Sequence, residues 1–199
     1  MGGYYSPNGN AWVRMKNATE SIYVDGYTCP VLKRRNGDGH MAQPDTTRTV
    51  GLALEGGGYR GMYTAGVLDV WMERGLTCDH MVGVSAGAAF GYNFKSRQIG
   101  RAIRYNKAYC ADKRYASVTS WLRTGDMFNA DFAYHEVPIE RDPIDLEAYR
   151  ACPMRFTCVC TDIETGKAVY HDLPYGDERD IEWIRASSAI PVATSSRCY

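Results

Sequence analysis

The 199-residue chain is 45% hydrophobic and 23% charged, and its 23 Lys and Arg balance 23 Asp and Glu to a formal net charge of zero. This size and composition suit one folded unit with a substantial core, and the charge balance excludes a long-range field drawing the chain to nucleic acid. No apolar run approaches the roughly 18 to 20 residues that span a bilayer, and the N-terminus lacks the apolar stretch of a secretory signal. The chain therefore reads as cytoplasmic.

Residues 1–47 are rich in Gly, Asn, Asp and Tyr, with Asn36-Gly37-Asp38-Gly39 as a loop signal and no sustained periodicity. They read as an N-terminal extension or loose arm, in which Ile22-Tyr23-Val24 and Pro30-Val31-Leu32 offer short strands. The pattern changes at residue 48, where a domain covering 48–199 is expected to begin. Val50-Gly51-Leu52-Ala53-Leu54 is a short apolar strand, followed by Gly56-Gly57-Gly58 and a helix over 60–73. Tyr63, Val67, Val70 and Trp71 are the expected apolar stripe of that helix, and Gly75 is its closing glycine. A second strand is predicted over 81–84 and a second helix from Ala86. Strand, helix, strand, helix in this rhythm implies parallel strands with right-handed crossovers, hence an α/β fold.

Farther on, the sequence predicts a helix over 99–109 and turns at Thr124-Gly125-Asp126 and Asp142-Pro143. A strand over 155–162 turns back through Glu164-Thr165-Gly166-Lys167 into a return strand over 168–171. A final helix over 180–189 is stopped by Pro191. The seven cysteines include no C-x-x-C pair, which argues against a zinc ribbon. Cys158 and Cys160 alternate along the predicted strand as small apolar residues of one face.

Chemistry enters at Met81-Val82-Gly83-Val84-Ser85-Ala86-Gly87, where an apolar run ends on a serine between two glycines. Gly83-Val84-Ser85-Ala86-Gly87 is a G-x-S-x-G match with a strand before it and a helix after it, the setting of a nucleophile elbow. The glycines remove β-carbons that would collide where strand and helix meet, and the helix N-terminus directs amide groups at the reacting centre. Gly56-Gly57-Gly58-Tyr59-Arg60-Gly61 also fits the G-x-G-x-x-G pattern of a dinucleotide-binding turn. Such a site wants an acidic residue at the end of the second strand, about 20 positions on. Here that strand ends on Val84-Ser85, and Asp79 precedes it. The glycine turn is better read as an oxyanion hole, with the Gly57 and Gly58 amides facing Ser85. A Ser, Asp, His order using His171 with Asp162 or Asp172 is a further esterase-like reading.

LALEGGGYRG, then GVSAG, then ASSAIP, in that order across residues 50–191, resemble the patatin-like phospholipases. The resemblance implies a three-layer α/β/α sandwich with a mainly parallel sheet and a Ser/Asp dyad. It also implies acyl-ester hydrolysis on lipids, without metal or cofactor and with transient contact at a membrane surface. Carried over, Ser85 is the nucleophile, Gly56, Gly57, Gly58 and Gly61 match the oxyanion-hole motif, and Arg60 matches its basic position. The family's base is the aspartate of an Asp-Gly-Gly or Asp-Gly-Ala motif beyond A-S-x-A-x-P, and no such motif occurs in these 199 residues. The expectation is thus the N-terminal portion of a hydrolase domain, C-terminally incomplete, with a lipid-binding module that has lost the chemistry as the alternative.

Overall fold

Short apolar runs, each too brief for a stable helix and bounded by glycine or charged residues, build the centre of the molecule as strands. The structure, a computed structural model, describes residues 11–15, 49–110, 112 and 132–189. Its strands are β1 (Ala11–Met15), β2 (Val50–Leu54), β3 (His80–Val84), β4 (Arg155–Thr161) and β5 (Ala168–Asp172), lying side by side in that order. β1 to β4 run parallel, and β5 returns antiparallel to β4. The fold is mixed α/β, a mostly parallel sheet flanked by helices, as in the patatin-like α/β/α architecture.

The stretch read as a loose arm contains β1, which pairs with β2 from Ala11↔Val50 to Met15↔Leu54. Residues 22–24 and 30–32, the turn at 124–126 and Pro191 lie outside the described residues.

A 3-10 turn (Gly58–Gly61) leads from β2 into α1 (Met62–Glu73), and α2 (Ala86–Lys95) follows β3 directly. α3 (Arg101–Tyr109), a π-helical segment (Phe132–Arg141) and α4 (Leu146–Ala151) come before β4, and α5 (Glu178–Ser188) follows β5. The bend expected at Asp142-Pro143 separates the π-helical segment from α4.

α1 is rotated from the expected stripe. Thr64, Ala65, Leu68, Trp71 and Met72 are buried, whereas Tyr63 and Val70 are 44% and 42% exposed. Trp71 belongs to both stripes and meets Phe94 of α2 edge-on at 6.3 Å. α1 closes as expected, with Gly75 N–H donating to Met72 and Leu76 N–H to Trp71, a Schellman pair that satisfies its last carbonyls.

Leu52, Leu54, Met81, Phe156 and Cys158 are buried and form the core with the helices. Met81 and Leu54 press on α2 so closely that a β-carbon at Gly91 would stand 2.9 Å from Met81 Cε. Cys158 and Cys160 both lie buried with Sγ 3.5 Å from the Trp183 carbonyl of α5. A hydrogen bond to Cys160, and then burial, push the Cys158 thiol up, so it packs as a neutral group.

Candidate active site

Ser85 is the residue between β3 and α2, and its backbone is strained, with φ 52° and ψ −124°. A non-glycine residue at positive φ persists only when its surroundings hold it there. Three contacts do so. A β-carbon at Gly83 would stand 2.7 Å from Ala88 Cα, so only glycine lets β3 run this close under α2. One at Gly87 would stand 2.6 Å from the Leu54 carbonyl carbon, so only glycine lets α2 start against the end of β2. Ser85 N–H also donates to Ser187 Oγ at 2.8 Å, and Ser187 in turn donates to the Val159 carbonyl at 2.6 Å. Ser187 thereby ties the elbow to β4 and α5.

Serine before a helix ordinarily caps it with its own side chain. Here the Ser85 hydroxyl makes no capping hydrogen bond to α2. Ser85 lines a cavity of about 210 Å³, together with Ala86, Gly58 and Tyr59. Ala89, Phe90, Val137, Pro138, Ile181 and Ile184 supply much of its apolar wall. The π-helical segment thus forms one side of the cavity and α5 another. Tyr134 lines it too; burial pushes its phenol up, offset in part by a hydrogen bond with Ser188.

The glycine turn meets this centre directly. A β-carbon at Gly56 would stand 3.0 Å from Ser85 Cβ. The Gly57 carbonyl accepts from Arg60 N–H at 3.1 Å, which fixes the turn. Gly58 lines the cavity at φ +54°. Gly61 has a packing role, since its β-carbon would stand 2.7 Å from Phe90 Cε2. Arg60 is exposed and is not among the cavity-lining residues, and Val84 points to the surface at 39% exposure.

The histidine reading is not assembled. His171 stacks on Trp183 with ring centroids 3.9 Å apart and is not among the residues lining the cavity. Asp162 accepts from Glu164 and Thr165 amides in the β4–β5 turn, and Asp172 bonds Arg155 and Thr157. In the natural full-length protein, His171→Ala is therefore expected to leave ester turnover largely intact, as a rate assay on a short acyl ester would show. The dinucleotide reading fails as well: Asp79 accepts from Val50 N–H at 2.7 Å, at the start of β2, the opposite end of the sheet from Ser85.

The profile of the patatin-like phospholipase family matches residues 52–197. The chain belongs to this family. It is also 29% identical over 147 residues to an uncharacterized Escherichia coli (strain K12) protein, YjjU, a match covering 71% of this chain. The matched region is 40% of that relative's length. Among the described residues no helix is long and apolar enough to cross a membrane.

The candidate site holds residues that the motifs alone do not single out. Ser187 sits inside the ASSAIP stretch, so the motif itself was the signal, although its partner is 102 positions away. α4 was also signalled: Asp145 caps it by accepting from Ala148 N–H, with Glu147 in the first turn and Arg150 in the last. Nothing in the sequence marked the π-helical wall.

Proposed function

We propose that the protein is a serine acyl-ester hydrolase acting on lipids. Ser85 Oγ attacks the acyl carbonyl, its proton passes to a carboxylate base, and the Gly57 and Gly58 amides receive the oxyanion. The alcohol leaves with that proton, and water then releases the acid from the acyl-serine. One observation carries this reading: a serine held at positive φ, its hydroxyl not spent on capping, stands at the end of an otherwise largely apolar cavity. The cavity takes the acyl chain. The base in this reading is a carboxylate of the kind carried by the Asp-Gly-Gly or Asp-Gly-Ala motif.

A fluorophosphonate probe should form one adduct, on the peptide containing Ser85. An adduct elsewhere, or none in a folded sample, overturns the assignment. Gly58→Val should slow labelling by about 10² to 10³, the usual effect of losing an oxyanion donor. The damage would come from backbone conformation, because no atom lies within 4 Å of the added β-carbon while φ +54° disfavours a β-branched residue.

A further inference from the structure

The cavity does not end as it begins. Ser85, Ala89 and Asn93 recur along one face of α2 and all line it, so it extends about 12 Å along the helix, two turns past the serine. There its wall changes from apolar to polar: Asn93, Arg101, Tyr105 and Asn106 all contribute.

Arg101 is 2% exposed, among the most deeply buried large side chains of the described residues. Its Nε and Nη2 donate to the Asp142 carbonyl, and its Nη1 donates to Asn93 Oδ1 at 2.5 Å. These are neutral acceptors. The Asp142 carboxylate lies 3.6 Å from Nε, and it is engaged by the exposed Arg104, which donates to both its oxygens at 2.8 Å. Two cations therefore share one carboxylate, and the bidentate contact belongs to the exposed one. Among the described residues the two cations meet this one carboxylate, which leaves a net positive charge, and two Arg101 N–H groups lie beyond the three bonds described. A buried cation whose one carboxylate is shared with a second cation is under-compensated, and a planar fork of N–H groups fits a carboxylate best.

We propose that Arg101 sets the substrate class: the cavity takes acyl chains whose far end carries a carboxylate, the ester carbonyl at Ser85 and the ω-carboxylate on Arg101. This rests on the hydrolase reading for the placement of the ester. A glycerophosphate head group does not fit the same geometry, because the wall between Ser85 and Asn93 is apolar and a phosphate lies only a few bonds from its ester carbonyl.

Binding without turnover tests this separately from catalysis. In the natural full-length protein carrying Ser85→Ala, monomethyl sebacate should bind about 10- to 100-fold more tightly than methyl decanoate, the range expected for a hydrogen bond to a charged group. Asn93→Asp places a carboxylate on Arg101 and should bring that ratio to near one. Should that variant fail to fold, Arg104→Gln, a change at an exposed side chain, frees Asp142 for Arg101 and should lower the ratio several-fold. Equal binding of the two esters, a ratio unmoved in both variants, or displacement by glycerol phosphate in preference to the diacid ester overturns the proposal. Failure of the fluorophosphonate to label Ser85, with the carboxylate preference intact, would instead count against the hydrolase reading alone.

Discussion

Ser85→Ala should lower ester turnover in the natural full-length protein by about 10⁴ or more, equivalent to roughly 5 to 6 kcal/mol of barrier. The size follows from what alanine cannot do. With no hydroxyl there is no acyl-serine, and what survives is binding in the cavity plus polarisation of the carbonyl by the glycine turn. KM should move little, because the apolar walls that hold the chain are untouched. Stability should also hold or rise slightly. The Ser85 side chain does not cap α2, and the bond from Ser85 to Ser187 runs from the backbone N–H, which alanine keeps. Steady-state kinetics beside a thermal melt checks both halves. Wild-type turnover in a folded Ser85→Ala protein would place the nucleophile elsewhere and remove the ground for the dyad.

Much of this centre was legible because its determinants are local. β2 was read at its observed bounds and β3 to β5 to within a residue, since each is a short apolar run closed by turn residues. The elbow was legible because Gly83 and Gly87 bracket the serine at fixed offsets. What was missed depends on partners distant in sequence or on periods other than 3.6 and 2. β1 lies in a polar, glycine-rich stretch, and only its parallel pairing with β2 makes it a strand. The buried stripe of α1 was misassigned because Tyr63 and Val70 are the larger apolar side chains, whereas the small Thr64 and Ala65 are the buried ones. The π-helical segment contains Pro138, which reads as a helix break, and its spacing matches no standard template. Arg101 and Arg104 carry the same local signal in the sequence, and only the docking of the 132–142 stretch onto α3 separates the buried arginine from the exposed one.

The largest stability change is expected from Gly87→Ala. The added β-carbon would strike the Leu54 carbonyl and stand 2.9 Å from the Glu55 oxygen, and both are backbone atoms with no rotamer to escape into. Neither side can yield cheaply. Leu54 ends β2 in register with Gly83 of β3, and α2 is held by Ala88, Phe90 and Phe94, each 5% exposed or less. Relief requires lifting the first turn of α2 off the sheet, which exposes core and shifts Ser85. Overpacking of this kind costs about 3 kcal/mol or more, or roughly 6 to 12 °C in Tm for a chain of this size. Turnover should fall with it, since the positive φ of Ser85 depends on the same contact. Gly66→Ala supplies the opposite sign: Gly66 lies inside α1 with no atom within 4 Å of an added β-carbon. Alanine there should stabilise by about 0.5 to 1 kcal/mol through helix propensity alone. Thermal melts of the two variants decide the matter. A Gly87→Ala protein that melts with wild type would mean that α2 does not start against β2, and that the strain at Ser85 has another source.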